Sequence, residues 1–128
     1  MKSETRFYIC IACLIILFDV AGSLASRWFH FDYANLRWLF RCLYAGCGYF
    51  GFAYRRLLGG ILAGLVAGLT DATVGWLVLV AIGPYLPFAQ PHPSVALIVT
   101  VVVGVSLYGA FFGFIGGLLH LLVSQAKK

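Results

Sequence analysis

The chain has 128 residues, of which 62% are hydrophobic and 10% are charged. Soluble domains have roughly 45–50% apolar and 25% charged residues, so this composition excludes an ordinary soluble domain. The formal net charge is +5, but the basic residues stand in ones and twos beside apolar runs, which indicates membrane topology and lipid headgroup contact and excludes nucleic-acid binding.

The first predicted transmembrane helix covers residues 7–25, an apolar run long enough to cross a bilayer. A cleaved signal peptide is the alternative, because a basic start and small residues up to Ala25 resemble a cleavage site, but Asp19 interrupts the hydrophobic segment. Residues 26–35 mix aromatic with charged side chains, as is typical of a headgroup interface. We expect an interfacial loop or a short surface helix there.

The second predicted helix covers residues 36–54 and contains Arg37 and Arg41. Its polar and small residues recur at intervals of three and four, so they share one face, and that face must turn inward. The pair Arg55-Arg56 leaves only a tight connection to the next helix. The second and third helices should therefore be antiparallel.

The third predicted helix, residues 57–82, has a single ionisable residue, Asp71. Helical spacing places Asp71 on the same arc as glycines of this helix, so its side chain should face protein and not lipid. A proline-rich loop follows at residues 83–93, and the fourth helix covers residues 94–123.

The fourth helix repeats the glycine spacing of the third. Small residues four apart let two membrane helices approach closely, so these two helices should form a tight hairpin of the glycine-zipper type. The predicted packing glycines are Gly60, Gly64, Gly68, Gly75, Gly109, Gly113 and Gly117.

Positive charges near the helix ends predict the topology. One side has Lys2, Arg6, Arg55, Arg56, Lys127 and Lys128, and the other has Arg27, Arg37 and Arg41. We therefore expect an all-α integral membrane protein with four transmembrane helices as two antiparallel hairpins, both termini cytoplasmic, in the cytoplasmic (plasma) membrane. The whole chain, 1–128, should be a single transmembrane domain.

Counting residues from the loops predicts which polar side chains meet. The count places Asp71 level with Val105, within one turn of the hydroxyl groups of Ser106 and Tyr108, and it places Asp19 level with Arg41. Either charge alone would cost up to ~2.5–3.5 kcal/mol in the membrane, so the Asp19–Arg41 coincidence favours an ion pair.

Two readings of Asp71 remain open. A carboxyl group away from water can bind and release protons, which favours proton or cation handling, whereas a protonated Asp bonded to a hydroxyl group would only hold helices together. Arg37 has no matching acid and could attract an anionic headgroup or substrate, or extend to the outer interface. His120 should lie near the cytoplasmic interface, as an ordinary interfacial histidine or as a proton relay.

The sequence leaves two classes of function. The first is a permease or channel subunit with Asp71, Asp19 and Arg41 on its path; four helices enclose little space, so it would have to form a homo-oligomer. The second is a non-catalytic accessory or assembly subunit that docks its glycine faces against a larger membrane partner. We expect no enzyme, cofactor or metal site, because the four cysteines are embedded in apolar segments and no catalytic motif occurs.

Overall fold

The computed structural model describes residues 3–84 and 94–126, and this part of the chain forms helices without any strand. Three helical stretches, Ser3–Phe29, Tyr33–Ile82 and Val95–Ala126, are long and apolar enough to cross a membrane. The fold is therefore that of an all-helical membrane protein. Residues 85–93 of the loop predicted at 83–93 lie outside the described residues, as do the charges Lys2, Lys127 and Lys128.

Helix α1 extends beyond both of its predicted bounds, and α4 extends beyond its predicted end, because the backbone stays hydrogen-bonded through the flanking polar residues. The elements are α1 (Ser3–Phe29), a 3₁₀ turn (Tyr33–Leu36), α2 (Arg37–Thr70), a π-helical turn (Asp71–Gly75), α3 (Trp76–Ile82) and α4 (Val95–Ala126).

Helix α2 is broken at Arg55 and Arg56. Arg55 has φ −140° and ψ 32°, and Arg56 has φ 53°, a left-handed conformation that residues other than glycine seldom adopt. The chain turns back here, since a Cβ atom added to Gly51 would lie 2.7 Å from the Cβ of Ala63. We call residues 37–54 the first arm of α2 and residues 57–70 its second arm.

Helix α1 is tied to the rest of the chain at both ends. Near its start, Glu4 Oε1 lies 2.7 Å from Arg55 Nε at the break in α2. Near its end, Arg27 Nη1 donates a hydrogen bond of 2.7 Å to the carbonyl oxygen of Ile82. The ion pair is partly exposed and contributes little free energy, but the two contacts join α1 to the break in α2 at one end and to the end of α3 at the other.

The backbones of α4 and the two arms of α2 approach closely at glycines. A Cβ atom on Gly64 would lie 2.7 Å from Gly113 Cα, and one on Gly68 would lie 2.6 Å from the Val105 carbonyl oxygen. Such distances leave no room for any side chain, so backbone meets backbone along this interface. Gly60 and Gly109 take part in the same contact, and Gly117 has its Cα 3.3 Å from the added Cβ of Gly60.

Gly75 is the exception among the predicted packing glycines, because it faces α1 and not α4. In an uninterrupted α-helix, residues seven apart differ by only about 20° around the axis, so Gly75 would share the face of Gly68. The π-helical turn at Asp71–Gly75 adds a residue to one turn and changes this direction. The structure thus directs one glycine of the third predicted helix toward Asp19 on α1.

Candidate functional site

The site begins at the π-helical turn. The Trp76 N–H donates to the carbonyl oxygen of Asp71, five residues earlier, which is the bond that defines a π turn. Turns of this kind occur often at functional sites. Here the turn starts at Asp71 and ends at Gly75, so it contains both the intramembrane acid and the glycine that faces α1.

Asp19 and Asp71 meet across Gly75. A Cβ atom on Gly75 would lie 2.9 Å from Asp19 Cγ and 3.1 Å from Asp71 Oδ1, and the two carboxyl groups are within hydrogen-bonding reach of each other. Asp19 is fully buried, and no protein donor in the described part of the chain points at its Oδ2. Two carboxylates this close in a water-poor interior repel each other strongly, so the arrangement favours one proton shared between them.

Two tyrosines stabilise the carboxyl pair from outside. The Tyr33 hydroxyl donates a hydrogen bond of 2.9 Å to Asp19 Oδ1. The Tyr44 hydroxyl donates to Asp71 Oδ2, and the Tyr44 side chain is only 1% exposed. Each carboxyl group therefore has a hydroxyl donor of its own in addition to its partner acid.

The predicted ion pair between Asp19 and Arg41 is wrong. Arg41 Nε donates to the Tyr108 hydroxyl, and its guanidinium carbon lies 4.3 Å from the centre of the Trp38 ring, a cation–π contact. The rings of Tyr108 and Tyr44 meet edge to face, with centroids 6.4 Å apart. Counting from the loops gives the depth of a residue but not its direction around the helix, and Arg41 faces Tyr108.

The predicted hydroxyl partners of Asp71, Ser106 and Tyr108, are also wrong. Asp71 accepts from Tyr44, Tyr108 accepts from Arg41, and the Ser106 hydroxyl is buried without a partner in the described residues. The Ser106 Cα would lie 3.2 Å from a Cβ on Gly68, three residues before Asp71. Asp71 lies at the start of the π turn, on a face that looks toward the first arm of α2.

We call Arg41, Tyr108, Tyr44, Asp71, Asp19 and Tyr33 the polar layer, because hydrogen bonds and one ring contact join them across the bundle. The layer contains one cation and two acids. With one proton on the carboxyl pair, its formal charges sum to zero, which favours burial of ionisable groups in a membrane.

Arg37 and His120 lie apart from the polar layer. Arg37 is exposed, and its Nε donates a hydrogen bond of 3.1 Å to the Ala34 carbonyl oxygen. The His120 ring lies between the rings of Tyr49 and Phe52, with centroids 4.6 and 4.7 Å away. Its Nδ1 is buried and has no partner among the described residues, so no described group links His120 to the two acids.

A cavity of about 350 Å³ opens beside the polar layer. Its size lies in the range of small-molecule sites, and it has aromatic and aliphatic walls with a few polar groups, as such sites usually do. Asp71 reaches this cavity, whereas Asp19 lies behind it. The lining residues are Tyr33, Ala34, Arg37, Phe40, Tyr44, Asp71, Ala72, Trp76, Leu79, Val101, Val105 and Tyr108.

Sequence reasoning missed Tyr33 and treated Tyr44 only as part of an inward face. Tyr44 recurs with Arg37 and Arg41 at helical spacing, and that signal placed it inside the bundle. Tyr33 gave no such signal, because it stands in the interfacial segment among three other aromatic residues. Its long side chain reaches from the 3₁₀ turn to Asp19.

Tyr44→Phe should lower the free energy of unfolding by about 1–3 kcal/mol, because it leaves a buried carboxyl oxygen without its hydroxyl donor. The measurement is denaturant unfolding in detergent micelles. Tyr49→Phe is the matched control, since the Tyr49 hydroxyl makes no hydrogen bond within the described part of the chain. Equal stability of the two variants would contradict the Tyr44–Asp71 hydrogen bond.

No protein-family model, curated protein or solved structure matches this chain. Among the described residues, no group of three or more His, Cys, Asp or Glu side chains could hold a metal ion. The polar layer and the cavity beside it are the features of the chain that bear on its function.

Proposed function

We propose that the protein is a small permease or channel subunit in which a proton or cation passes the Asp19–Asp71 pair. The contact of these two carboxyl groups across Gly75 carries the proposal. A carboxyl pair that holds one proton can release it when a cation takes its place or when a conformational change separates the two groups. Intramembrane acids often mark ion or proton pathways. Asp71 borders the cavity, so it is the member that exchanges with ligand or water.

The proposed topology has four spans in two antiparallel hairpins, with both termini in the cytoplasm. The break at Arg55 and Arg56 supports a reversal inside α2, and the contact of Glu4 with Arg55 supports a common side for the start of α1 and this break. The basic residues at that end favour the cytoplasmic face of the plasma membrane. The measurement is a reporter tag at each terminus, and an external N-terminus would contradict this arrangement.

The proposed assembly is a homo-oligomer. A groove of about 490 Å³ runs between α1 and the first arm of α2, with almost entirely apolar walls that include Cys10, Cys42 and Gly46. A Cβ atom on Gly46 would meet nothing within 4 Å. A second copy of the chain that covers this groove would bury its apolar walls and enlarge the bundle.

An accessory subunit is the second candidate, and the same groove supports it. The glycine faces do not, because the glycines of α2 and α4 already pack against each other within the chain. A larger membrane partner would therefore have to dock at the groove. Self-association of the purified protein supports the permease, and recovery only together with a different membrane protein supports the accessory subunit.

Asp71→Asn tests the function. The amide keeps the shape of the side chain and can still accept from Tyr44, but it cannot exchange a proton. We expect the variant to keep its expression and oligomeric state and to lose pH-driven ion flux in reconstituted vesicles, down to the level of empty vesicles. The measurement is an internal pH-sensitive dye after a pH jump.

Asp32→Asn is the control for this experiment. Asp32 is an acidic residue outside the polar layer, and its carboxyl oxygen only accepts from the Ala34 N–H in the 3₁₀ turn. Flux should survive this change. Wild-type flux equal to that of empty vesicles would refute the permease, and full flux in Asp71→Asn would make the carboxyl pair structural.

A further inference from the structure

Two arginines at the start of α2 have no acidic partner in the described part of the chain. Arg37 and Arg41 are one helical turn apart, so they lie on the same face of the first arm. Each uses only its Nε atom, Arg37 toward the Ala34 carbonyl and Arg41 toward the Tyr108 hydroxyl. No described acceptor takes a hydrogen bond from the Nη atoms of either residue. Guanidinium groups with free, planar donors are suited to carboxylate, sulfonate or phosphate groups.

One of the two arginines borders the cavity, and the other bonds to a residue that does. Arg37 lines it directly, and Tyr108, which accepts from Arg41, lines it from α4. Because the Tyr108 oxygen is the acceptor in that bond, its own hydroxyl proton is left to donate. An anionic group at this position would meet Arg37 and the hydroxyl of Tyr108, and the guanidinium of Arg41 is next to it through its hydrogen bond to Tyr108.

The charge around the cavity favours an anion over a cation. The guanidinium groups of Arg37 and Arg41 carry two positive charges, and the carboxyl pair with one proton carries one negative charge. The sum is one net positive charge. Asp32, the other acid at this end, accepts from the Ala34 N–H and does not line the cavity. Aromatic walls would also suit an organic cation, but such a cation would have to lie beside unpaired arginines.

We infer that this cavity binds a small organic anion, with its charged group at Arg37, Arg41 and Tyr108 and its apolar body among the side chains of Phe40 and Trp76. The inference rests on the proposed function in its proton form and adds the substrate class that the same site would take beside the proton. A volume of about 350 Å³ accommodates a body the size of one substituted aromatic ring. The anion and the proton on Asp71 would then occupy neighbouring places in one cavity.

The test compares three probes of similar size and different charge: toluene-4-sulfonate, toluene-4-sulfonamide and benzyltrimethylammonium. Binding to the full chain in phosphatidylcholine nanodiscs is measured by calorimetry. The sulfonate should bind at least about tenfold more tightly than either of the others, because only it gains charge-assisted hydrogen bonds. Tighter binding of the ammonium probe would overturn the inference.

Arg41→Gln and Arg37→Gln should each weaken sulfonate binding by about tenfold, the effect of losing one charge-assisted hydrogen bond. Arg6→Gln is the matched control, since Arg6 is exposed and lies near the start of α1, away from the cavity. Arg37 is also exposed, so its variant gives a result even if Arg41→Gln does not fold. Wild-type affinity in Arg37→Gln would overturn the role of that residue in the site.

Nanodiscs that contain phosphatidylglycerol separate a soluble anion from a lipid headgroup. Continued sulfonate binding there supports a soluble ligand, and complete loss would place a headgroup against the arginines and overturn the inference. Binding is measured without flux, so the two proposals fail separately. Sulfonate binding with no Asp71-dependent flux would refute the permease alone, and flux without sulfonate binding would refute the anion site alone.

Discussion

Gly64→Ala should lower the free energy of unfolding by about 3 kcal/mol or more, a large effect for one methyl group. A Cβ atom at this position would lie 2.7 Å from Gly113 Cα and 2.9 Å from Gly113 N. Both are backbone atoms, so no rotation of a side chain can relieve the contact. Helix α4 would have to move away from the second arm of α2, which would separate the neighbouring glycine contacts as well.

Gly104→Ala is the matched control for Gly64→Ala. Gly104 is exposed on α4, and a Cβ atom there would meet nothing within 4 Å. Alanine is favoured over glycine inside a helix by up to about 1 kcal/mol, so this variant should be neutral or slightly more stable. Denaturant unfolding in micelles measures both variants. A Gly64→Ala protein as stable as Gly104→Ala would contradict the close backbone approach.

The sequence predicted this close approach because a glycine pattern records helix packing directly. Gly60, Gly64 and Gly68 have the same offsets as Gly109, Gly113 and Gly117, and lipid offers no other reason for two helices to carry small residues at four-residue spacing. The long apolar runs likewise predicted the helices, since a membrane span must satisfy its own backbone hydrogen bonds. The glycine spacing and the apolar runs both repeat along a helix, so they still predict it when its bounds are wrong by one or two residues.

The contacts of the polar layer could not be predicted in the same way. Loop counting placed Asp19 and Arg41 at one depth, but pairing also depends on the direction of each side chain around its helix. The π turn changes that direction after Asp71, and nothing in the apolar sequence around it marks the inserted residue. The prediction therefore joined Asp19 to the nearest cation, whereas the structure joins it to Asp71 and Tyr33.

Because Asp19 contacts Asp71 and not Arg41, the stability of a double variant at Asp19 and Arg41 should differ from what an ion pair predicts. An Asp19–Arg41 ion pair would make the stability losses of the two single variants strongly non-additive, because each substitution would leave the other charge without a partner. In the structure the direct partner of Asp19 is Asp71, and Arg41 reaches the acids only through the rings of Tyr108 and Tyr44. The stability losses should therefore be strongly non-additive for substitutions at Asp19 and Asp71, and nearly additive for substitutions at Asp19 and Arg41.

Gly75→Ala should abolish pH-driven flux while leaving the fold intact, which is the opposite of Gly64→Ala. A Cβ atom on Gly75 would lie 2.9 Å from Asp19 Cγ and 3.1 Å from Asp71 Oδ1. These atoms are the ends of side chains, so the carboxyl groups can move apart without moving a helix. The free energy of unfolding should fall by about 1–3 kcal/mol for the lost carboxyl contact, offset by up to about 1 kcal/mol because the helix itself favours alanine.

The separation of the two carboxyl groups is what should stop the flux. Once the added methyl group stands between Asp19 and Asp71, they no longer hold a proton together, and each keeps only its tyrosine donor. The measurement pairs vesicle flux with unfolding in micelles, and Gly104→Ala again serves as the control, now for flux. Normal flux in a folded Gly75→Ala protein would show that ions pass without the carboxyl contact, and the pathway would then have to run past Asp71 alone.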